Sequence, residues 1–550
     1  MKLLNAALLA AAAVPFASAL APIVRKGSYL FDSSTGDRFY LKGLAYAANY
    51  GSSQTTPSGE VSAVDPLANG DGCTRDIPYF KELDVNILRV YQVNSSLDHS
   101  SCMSALEEAG IYVIIDLATQ VEAISGSDPA WNLELLTQYI NTIETFGDYS
   151  NVFGFNIGNE VISSLTDDQA APYIKAAVRD IKAFMTSYNY TQLVGYTATD
   201  SPNSRATLPF YLACGEDSSA IFDYWGLNIY EWCGTSDFET SGYEARTEEL
   251  QSLGIPAFFS EYGCNAVEPR TFEDVPVLYS SDMSNVWSGG IIYEYIEQSN
   301  AYGLVNISSD GSSVSTLTDF NNLKSQYTTA TGSSLASASY TPSISLPDSC
   351  PSSNASWPVA TALPPTPNSG LCDCVASQLT CISTYTLDDA SDIGTAIGTL
   401  CGTSETACSV ISGNGTTGTY GELSMCNPLQ QLNIAMEVYY NAQSRQSSAC
   451  EWSFATLASS ASISASSQFA SATSSCIKAD AYVSSTGIPS ATTTLPGVST
   501  HPLVSGAASS GSSSSSSSGA IRLIASDAPA SALFATVFLG IVGGFMAVCL

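Results

Sequence analysis

The sequence predicts an α/β protein built on a (β/α)8 TIM barrel, followed by a small, disulfide-rich, mainly helical module. Apolar runs alternate with longer amphipathic stretches over residues 23–330, and eight of these runs are short enough to be buried strands. This alternation is typical of a parallel sheet covered by helices. Eight cysteines then crowd into residues 372–476, a density typical of a small module held together by disulfides.

The first residues have the pattern of a secretory signal peptide. Lys2 precedes an apolar stretch over residues 3–16, and Ala17-Ser18-Ala19 supplies the small residues of a cleavage site. We therefore expect residues 1–19 to be removed and the mature chain to begin at Leu20.

The barrel, over residues 20–330, is predicted from strands and helices that alternate along the chain. Helix-like stretches occupy residues 132–146, 167–188 and 243–253. The predicted strands are residues 39–46, 86–93, 112–118, 152–157, 193–199, 224–230, 257–260 and 290–295. Eight such strands are the number that a closed parallel barrel requires.

Two glutamates end the fourth and seventh predicted strands. Glu160 closes the run 151–160, and Glu261 closes the run 255–261. A (β/α)-barrel gathers its catalytic groups at these strand ends, and paired carboxylates are what a glycosidase needs, one to donate a proton and one to attack or to activate water. Each glutamate alone could instead cap a following helix. The repetition of one pattern in one chain favours catalysis.

Two further polar residues adjoin these strand ends. Asn159 can offer its amide to a sugar 2-hydroxyl, a contact that strengthens in the transition state. Tyr230 ends the run 225–230 and can donate a hydrogen bond to the nucleophile, which would help to keep that group ionised. A purely structural role is the alternative for Tyr230.

Charge and histidine content exclude several classes of function. The formal net charge is -33 with 18 basic residues, which argues against nucleic acid and anionic lipid surfaces as partners and favours a neutral substrate. The chain has two histidines. His501 lies in a Ser/Thr-rich tail and His99 is expected at the surface beside Cys102, so a Ser-His-Asp triad or a multi-histidine zinc site is disfavoured. We expect no metal and no cofactor.

The remainder of the chain divides by composition. Residues 331–371 are rich in Ser, Thr, Ala and Pro and are predicted to be a stiffened linker, which Cys350 ties back to the barrel. The cysteine-rich module spans residues 372–478 and contains a helix-like stretch at 424–441. Residues 479–519 are a predicted O-glycosylated stalk.

The C-terminal end resembles an attachment signal for a glycosylphosphatidylinositol (GPI) lipid. The apolar stretch 532–550 has no Lys or Arg after it, and a serine run and a short spacer precede it. This layout predicts removal of residues 520–550 and attachment of the lipid at Ser518 or Gly519. A retained C-terminal membrane anchor is the alternative.

Cysteines and sequons also indicate secretion. Of the 15 cysteines, Cys549 lies in the tail that would be removed, which leaves an even number for pairing. Five Asn-X-Ser/Thr sequons are potential N-glycosylation sites: Asn94, Asn189, Asn306, Asn354 and Asn414.

Six motifs give the region from Leu20 to Cys476 a resemblance to glycoside hydrolase family 72, the fungal β-1,3-glucanosyltransferases. They are Lys42-Gly-Leu-Ala-Tyr46, Asn86-Ile-Leu-Arg-Val-Tyr91, Gly154-Phe-Asn-Ile-Gly-Asn-Glu160, Tyr224-Trp-Gly-Leu-Asn-Ile-Tyr-Glu-Trp-Cys-Gly234, Phe259-Ser-Glu-Tyr-Gly-Cys264 and Ile292-Tyr-Glu-Tyr295. The cysteine-rich module resembles carbohydrate-binding module family 43, and a GPI tail is typical of these wall-remodelling enzymes.

The resemblance implies roles for the site residues. It implies a retaining mechanism with Glu160 as general acid/base and Glu261 as nucleophile. Tyr91, Asn159 and Tyr293 would bind the donor glucan, with the loop 118–126 nearby. The acceptor would bind to Asp200 and Arg205.

Disulfide pairs are also implied by the resemblance, since eight cysteines alone permit 105 pairings. The implied barrel pairs are Cys73 with Cys102, Cys214 with Cys350, and Cys233 with Cys264. The implied module pairs are Cys372 with Cys426, Cys374 with Cys476, Cys381 with Cys450, and Cys401 with Cys408. The segment 459–475, just before Cys476, departs from the pattern by its expanded Ser/Ala content.

The expected activity is therefore transfer between β-1,3-glucan chains at the cell surface, with a GPI lipid as the membrane link and no obligate protein partner. The enzyme would cleave an internal β-1,3 linkage and transfer the new reducing end to the non-reducing end of another glucan. Two alternatives remain open at this point. A plain endo-β-1,3-glucanase would use the same carboxylates with water as acceptor, and a non-catalytic wall protein would only bind glucan.

Overall fold

The computed structural model describes residues 19–47, 54–55, 61–62, 65–119, 122–458, 471 and 474–476. The chain divides into two compact units, residues 1–489 and 490–550, and every described residue lies in the first unit. The signal peptide except residue 19, the stalk, the GPI propeptide and the attachment positions Ser518 and Gly519 lie outside the described residues. The described part contains no helix that is both long enough and apolar enough to span a membrane.

Eight parallel strands close into a barrel, which confirms the predicted fold class. In chain order these strands are β3 (Leu41–Ala45), β6 (Ile87–Val90), β7 (Tyr112–Asp116), β8 (Val152–Asn159), β9 (Leu193–Thr199), β10 (Tyr224–Asn228), β11 (Ala257–Tyr262) and β12 (Trp287–Ile292). Each strand pairs with its sequence neighbours, and β12 pairs with β3 to close the ring. Strands such as β6 and β7 are buried along their whole length because helices cover the outer face and side chains fill the interior.

A helix follows each barrel strand. These helices are α1 (Gly70–Glu82), α2 (Ser100–Glu108), α3 (Leu133–Phe146), α4 (Ala171–Tyr188), α5 (Leu208–Leu212), α6 (Tyr243–Leu250), α7 (Asp274–Leu278) and α8 (Thr318–Tyr327). Capping residues mark the ends of two of these helices. The Asn132 side chain accepts a hydrogen bond from the Leu135 amide at the start of α3, and Asn189 ends α4 in the left-handed conformation at φ 60°.

Three short hairpins accompany the barrel. They are β1 (Ile23–Lys26) with β2 (Tyr29–Asp32), β4 (Gln54–Thr55) with β5 (Val61–Ser62), and β13 (Val305–Ile307) with β14 (Val314–Thr316). The first was not predicted from the sequence. Its Ile23 and Leu30 are buried in one cluster with residues from the starts of the barrel strands, such as Ile87 and Leu193. The hairpin therefore closes the end of the barrel opposite to the predicted catalytic end.

The segment 331–371 is packed against the barrel rather than extended between domains. Trp357 is buried and meets the ring of Tyr211 edge-on at 5.6 Å between centroids. The Tyr211 hydroxyl donates to the Ala360 carbonyl at 2.8 Å, and Cys214 bonds to Cys350. Buried side chains, a hydrogen bond and a disulfide thus fix on the barrel a segment whose composition alone predicts a stiffened linker.

The cysteine-rich module has its own hydrophobic core. Its elements are α9 (Ser369–Ala376), β15 (Cys381–Ser383), α10 (Ala390–Thr403), α11 (Glu405–Cys408), β16 (Gly413–Asn414), β17 (Thr419–Tyr420), α12 (Pro428–Ala442) and β18 (Ala455–Leu457). A fully buried carboxylate, Glu437, accepts from the amides of Thr380 and Cys381 at 2.8 Å and from Arg445 Nη1 at 2.6 Å. A buried charge is tolerated only with such compensation.

Seven disulfides involve all 14 cysteines outside the C-terminal tail. Each pair that the resemblance implies is formed: Cys73–Cys102, Cys214–Cys350, Cys233–Cys264, Cys372–Cys426, Cys374–Cys476, Cys381–Cys450 and Cys401–Cys408. Such a set of bonds persists in an oxidising, extracellular environment.

The prediction that His99 lies at the surface is wrong. His99 is 2 % exposed, and its Nε2 lies 2.8 Å from Asp65 Oδ2. The same Asp65 oxygen accepts a hydrogen bond from the Asn94 amide at 2.7 Å. The polar flanking sequence suggested exposure, but a buried carboxylate from a distant segment pairs with the Nε2 atom of the ring.

The module contacts the barrel where α3 and α4 begin, on the side of the barrel that carries the carboxyl ends of the strands. The Leu133 amide donates to the Met425 carbonyl at 2.9 Å, and the rings of Tyr173 and Tyr420 meet edge-on at 5.5 Å. At Gly415 the approach is so close that an added Cβ would overlap the Gln169 carbonyl oxygen. The module hairpin therefore abuts the segment that connects Glu160 to α4.

Replacing Gly415 with Ala should lower the melting temperature, because the new methyl group meets rigid backbone and overpacking costs about 1–3 kcal/mol. Gly398 is the matched control, since it lies inside α10 with open space around its Cα. Gly398→Ala should be neutral or stabilise by about 0.5–1 kcal/mol. Thermal unfolding of both variants measures this, and an unchanged melting temperature for Gly415→Ala would contradict the close contact.

Candidate active site

Irregularities in the barrel register bring both glutamates to the site. Between Asn156 and Asn159, β8 uses three residues where β9 uses two. Opposite β10, β11 has one extra residue, Ser260, just before Glu261. Such bulges break the alternation of side chains and aim adjacent residues in one direction. At the end of each of these two strands, consecutive side chains therefore contact one group of hydrogen-bonded polar residues inside the barrel.

Glu160 follows β8 directly and lies in an unusual backbone conformation. Its φ is 53°, in the left-handed region that non-glycine residues seldom adopt and that occurs preferentially at functional sites. Its amide donates to the Thr197 carbonyl at 2.9 Å, and its Oε1 accepts from Asn228 Nδ2 at 2.8 Å. The side chain is exposed. It caps no helix, because the next helical turn begins only at Asp168.

Glu261 has a buried environment with three convergent donors. It is 8 % exposed. Tyr91 Oη and Arg89 Nη1 donate to Oε1 at 3.0 and 3.1 Å, while Tyr230 Oη donates to Oε2 at 2.9 Å. The contact from Tyr230 is the one that the sequence predicts.

Opposing effects act on the pKa of Glu261. Burial raises this pKa to about 7, and the nearby negative charge of Glu160 acts in the same direction. The Arg89 guanidinium and the Tyr230 and Tyr91 hydroxyls favour the ionised form and act against that increase in the pKa. The ionised state of Glu261 therefore depends on these three donors.

Arg89 is the principal site residue that the sequence reasoning missed. It is completely buried. Burial favours the neutral guanidine, yet Asp116, whose Oδ2 lies 2.8 Å from Nη2, and Glu261 hold the Arg89 pKa well above its ordinary value. Nη2 also donates to Asn159 Oδ1 at 2.8 Å and to Thr197 Oγ1 at 3.0 Å. The sequence signal for Arg89 is that a charged residue interrupts the apolar run 86–91.

The amide of Asn159 is oriented by the same network. Its Oδ1 accepts from Arg89 Nη2, from Thr197 Oγ1 at 2.9 Å and from Asn228 Nδ2 at 3.1 Å. With the oxygen occupied, the Nδ2 group remains for a substrate hydroxyl. Asn228 was also missed, and it links the two glutamates, since its Oδ1 accepts from Arg89 at 3.3 Å while its Nδ2 donates to Glu160.

Aromatic rings line the site beside Glu261. The ring of Tyr293 meets the ring of Tyr91 edge-on at 6.3 Å and that of Tyr302 at 5.3 Å. Tyr302 also meets Tyr230 at 5.7 Å. Tyr302 was not predicted, because no apolar run marks its position. Such rings offer the flat apolar faces against which sugars can stack.

The two residues assigned to the acceptor lie in a separate ionic cluster. Arg205 Nη1 and Asp200 Oδ1 are 2.9 Å apart, and both residues follow β9. Neither makes a hydrogen bond to Glu160 or Glu261 in the part of the chain that the structure describes. In the loop 118–126, the Thr119 amide donates to the Glu122 carbonyl at 3.0 Å, and residues 120–121 lie outside the described residues.

All five sequon asparagines are exposed, namely Asn94, Asn189, Asn306, Asn354 and Asn414.

Within the described ranges, no group of three or more His, Cys, Asp or Glu side chains is arranged to hold a metal ion.

Comparison with known proteins gives family matches over both folded regions. Residues 12–331 match a family described as Glucanosyltransferase, and residues 379–456 match the X8 domain. Similar curated proteins include Protein EPD1 of Candida maltosa, 44 % identical over 85 % of this chain and 81 % of the relative. A second is 1,3-beta-glucanosyltransferase gas1 of Schizosaccharomyces pombe, 44 % identical over 78 % of this chain and 77 % of the relative.

Solved structures of Saccharomyces cerevisiae Gas2p are also similar. A Glu-to-Gln mutant of Gas2p in complex with laminaritetraose and laminaripentaose has a TM-score of 0.73 and 34 % identity, covering 82 % of this chain and 98 % of that chain. The apo form of the same mutant has a TM-score of 0.75 and 33 % identity, covering 84 % and 97 % respectively.

Replacing Tyr230 with Phe should move the acidic limb of the pH profile of kcat/KM to higher pH. The sequence predicts Glu261 as the nucleophile, which must be ionised to attack, and loss of a hydrogen bond to its charged form raises the pKa of Glu261. A bond to a charged group is worth about 1.5–3 kcal/mol, so the shift should be roughly one to two pH units.

Tyr302→Phe is the control, since its ring packs on Tyr230 but its hydroxyl is not a donor to Glu261. That variant should keep the wild-type acidic limb. Coincident acidic limbs for Tyr230→Phe and the wild type would contradict the assignment of Glu261 as the group that must ionise.

Proposed function

The chain belongs to the glucanosyltransferase family, glycoside hydrolase family 72, and we propose that Glu261 is its nucleophile and Glu160 its general acid/base. The protein is a 1,3-β-glucanosyltransferase that remodels the β-1,3-glucan of the fungal cell wall. It is an enzyme rather than a wall protein that only binds glucan. The observation that carries the assignment of roles is the difference between the two carboxyl environments.

Glu261 has the environment of a nucleophile. Attack requires an ionised, fixed carboxylate, and three donors from two tyrosines and Arg89 converge on its two oxygens. Because the side chain is buried, its oxygens cannot swing into solvent. Arg89 is itself immobilised by Asp116, so the carboxylate is held before the substrate arrives, as preorganised catalysis requires.

Glu160 has the environment of a group that exchanges protons. Its side chain is exposed, and a single neutral donor, Asn228 Nδ2, orients Oε1. A general acid must give up its proton in one step and recover one in the next, so it needs access to leaving and entering oxygens rather than strong fixed charges. Asn228 aligns the carboxyl through a neutral donor.

The reaction then proceeds in two displacements. A Glu261 oxygen attacks the anomeric carbon of the donor glucan, the glycosidic bond breaks, and the Glu160 proton passes to the departing oxygen, which leaves a glucosyl ester on Glu261. The terminal hydroxyl of a second glucan next loses its proton to Glu160 and attacks the same carbon. The ester bond breaks, Glu261 is restored as a carboxylate, and two inversions give net retention.

Substrate contacts are proposed for the surrounding residues. The free amide of Asn159 suits the donor 2-hydroxyl, and the rings of Tyr91, Tyr230 and Tyr293 suit the faces of donor sugars. Asp200 and Arg205 would hold the acceptor. An acceptor sugar competes with water at ~55 M, so transfer prevails only if the acceptor is positioned at high effective concentration.

The module and the C-terminal end have further proposed roles. In the module, the ring of Trp452 stacks on Phe454 at 5.7 Å and meets Tyr439 at 5.8 Å, which supports a contribution to glucan binding.

We also propose that the protein is held at the outer face of the plasma membrane by a GPI lipid at Ser518 or Gly519. Release of intact cell-surface protein by a phospholipase specific for phosphatidylinositol would test the anchor.

Glu160→Gln and Glu261→Gln should each reduce transfer from a laminari-oligosaccharide donor by at least about 10³-fold, because both remove an ionisable group that acts in the chemical step. Both substitutions are nearly isosteric, so the melting temperature should change little. Elongated products are measured by chromatography of reduced oligosaccharides. Near wild-type elongation by either variant would refute its assigned role.

A further inference from the structure

Five charged residues form one cluster beside the catalytic pair, on the loops that follow β9 and β10 and on α6. They are Asp200, Arg205, Glu231, Arg246 and Glu249. Arg205 Nη1 lies 2.9 Å from Asp200 Oδ1 and 3.8 Å from Glu231 Oε1. Glu231 follows Tyr230, one of the three hydrogen-bond donors to Glu261, so adjacent residues link the cluster to the proposed nucleophile.

The cluster contains one negative charge too many for its surroundings. Three carboxyls face two guanidiniums, although the side chains of Asp200 and Arg246 are only 15 % and 8 % exposed. An unpaired charge in such a site is costly, and the usual relief is protonation of one carboxyl. One bound proton would make the cluster neutral.

The contacts of Glu231 favour it as the carboxyl that binds this proton. Its Oε1 and Asp200 Oδ1 lie 3.8 and 2.9 Å from the same atom, Arg205 Nη1, so the two carboxyls are neighbours, and two carboxyl groups can share a hydrogen bond only when one of them is protonated. Its buried Oε2 accepts no hydrogen bond from a described donor, and Arg246 Nε remains 3.9 Å away. Gly242, at φ 87°, gives the carboxyl room, since an added Cβ there would lie 2.5 Å from Oε2.

We propose that Glu231 is a positioning residue for the acceptor: its protonated carboxyl donates a hydrogen bond to Asp200 and keeps the Asp200–Arg205 ion pair in the arrangement that binds the incoming glucan. The proposal rests on the proposed function, in which Asp200 and Arg205 bind the acceptor. Glu231 contacts neither the acceptor nor the reacting atoms, and it acts through Asp200.

A pH dependence of acceptor use follows. Burial and the charge of Asp200 raise the pKa of Glu231 to about 8, with Arg205 acting against this increase and Glu249 adding to it. The other groups that face it lie on α6, namely Arg246 and Tyr243. Below this pKa the proton is present and the pair is held. As the pH rises through the pKa, Glu231 becomes an anion that repels Asp200, and the arrangement is lost.

The ratio of transfer to hydrolysis isolates this effect. Both outcomes pass through the same glucosyl ester on Glu261, and in both Glu160 accepts the proton of the attacking hydroxyl. Titration of either catalytic carboxyl therefore changes both rates together and cancels in the ratio. Only a change in how well the acceptor is held relative to water remains.

The experiment measures this ratio with a fixed laminari-oligosaccharide at about pH 6.5 and about pH 9, on either side of the pKa. For the wild type we expect a roughly fivefold fall, which is the worth of about one hydrogen bond. Glu231→Gln keeps a neutral donor at both pH values, so its ratio should stay constant. Glu249→Gln leaves the Glu231 and Asp200 carboxyls in place but removes the excess negative charge of the cluster, so its fall should occur at lower pH than that of the wild type.

The results distinguish a failure of the proposed role of Glu231 from a failure of the proposed acceptor site at Asp200 and Arg205. A wild-type ratio that does not change with pH, or an equal fall in Glu231→Gln, would overturn the role of Glu231. Asp200→Ala and Arg205→Ala test the premise, and each should lower the ratio at both pH values while donor cleavage persists. If neither does so, the acceptor lies elsewhere. If both do so and Glu231→Gln still behaves as the wild type, the acceptor site stands and the inference fails.

Discussion

The buried guanidinium of Arg89 is the interaction on which the rest of the site depends. It contacts groups from five consecutive barrel strands, with Asp116, Asn159, Thr197, Asn228 and Glu261 as partners. A cation at the centre of a barrel is costly unless its hydrogen-bonding capacity is satisfied. Two of these partners, Asn159 and Glu261, are the groups proposed to act on the substrate. The requirement to stabilise the interior charge therefore fixes the geometry of the catalytic residues.

The two carboxyls acquire different properties from this single arrangement. Glu261 accepts directly from the cation and from two tyrosines, whereas Glu160 is reached only through the neutral amide of Asn228. One group is held in place by three donors that favour its ionised form, and the other is exposed and contacts one neutral donor. This division of roles is what a retaining double displacement needs. The bulges in β8 and β11 make it possible, because each turns adjacent side chains toward the interior network.

Much of this could be predicted from the sequence, because the barrel has a strong pattern. All eight predicted barrel strands are present, and their apolar runs reflect burial on both faces. Glu160 and Glu261 were found because polar residues at the ends of such runs stand out. Arg89 and Asn228 could not be assigned in the same way, since their roles depend on partners from distant strands. The bulges leave no mark in composition, and the burial of His99 and of Trp357 depends on contacts with segments far away in the chain.

The central claim is that Glu261 forms a covalent bond to the donor while Glu160 transfers protons. A laminari-oligosaccharyl fluoride with a second fluorine at carbon 2 tests it most directly. The fluorine at carbon 2 slows both formation and breakdown of the glycosyl ester, while the anomeric fluoride is a good leaving group that keeps formation fast enough for the ester to accumulate. Peptide mapping of the trapped protein by mass spectrometry should find the sugar on Glu261. A label on any other residue, or a product with inverted anomeric configuration and no trapped ester, would contradict the account.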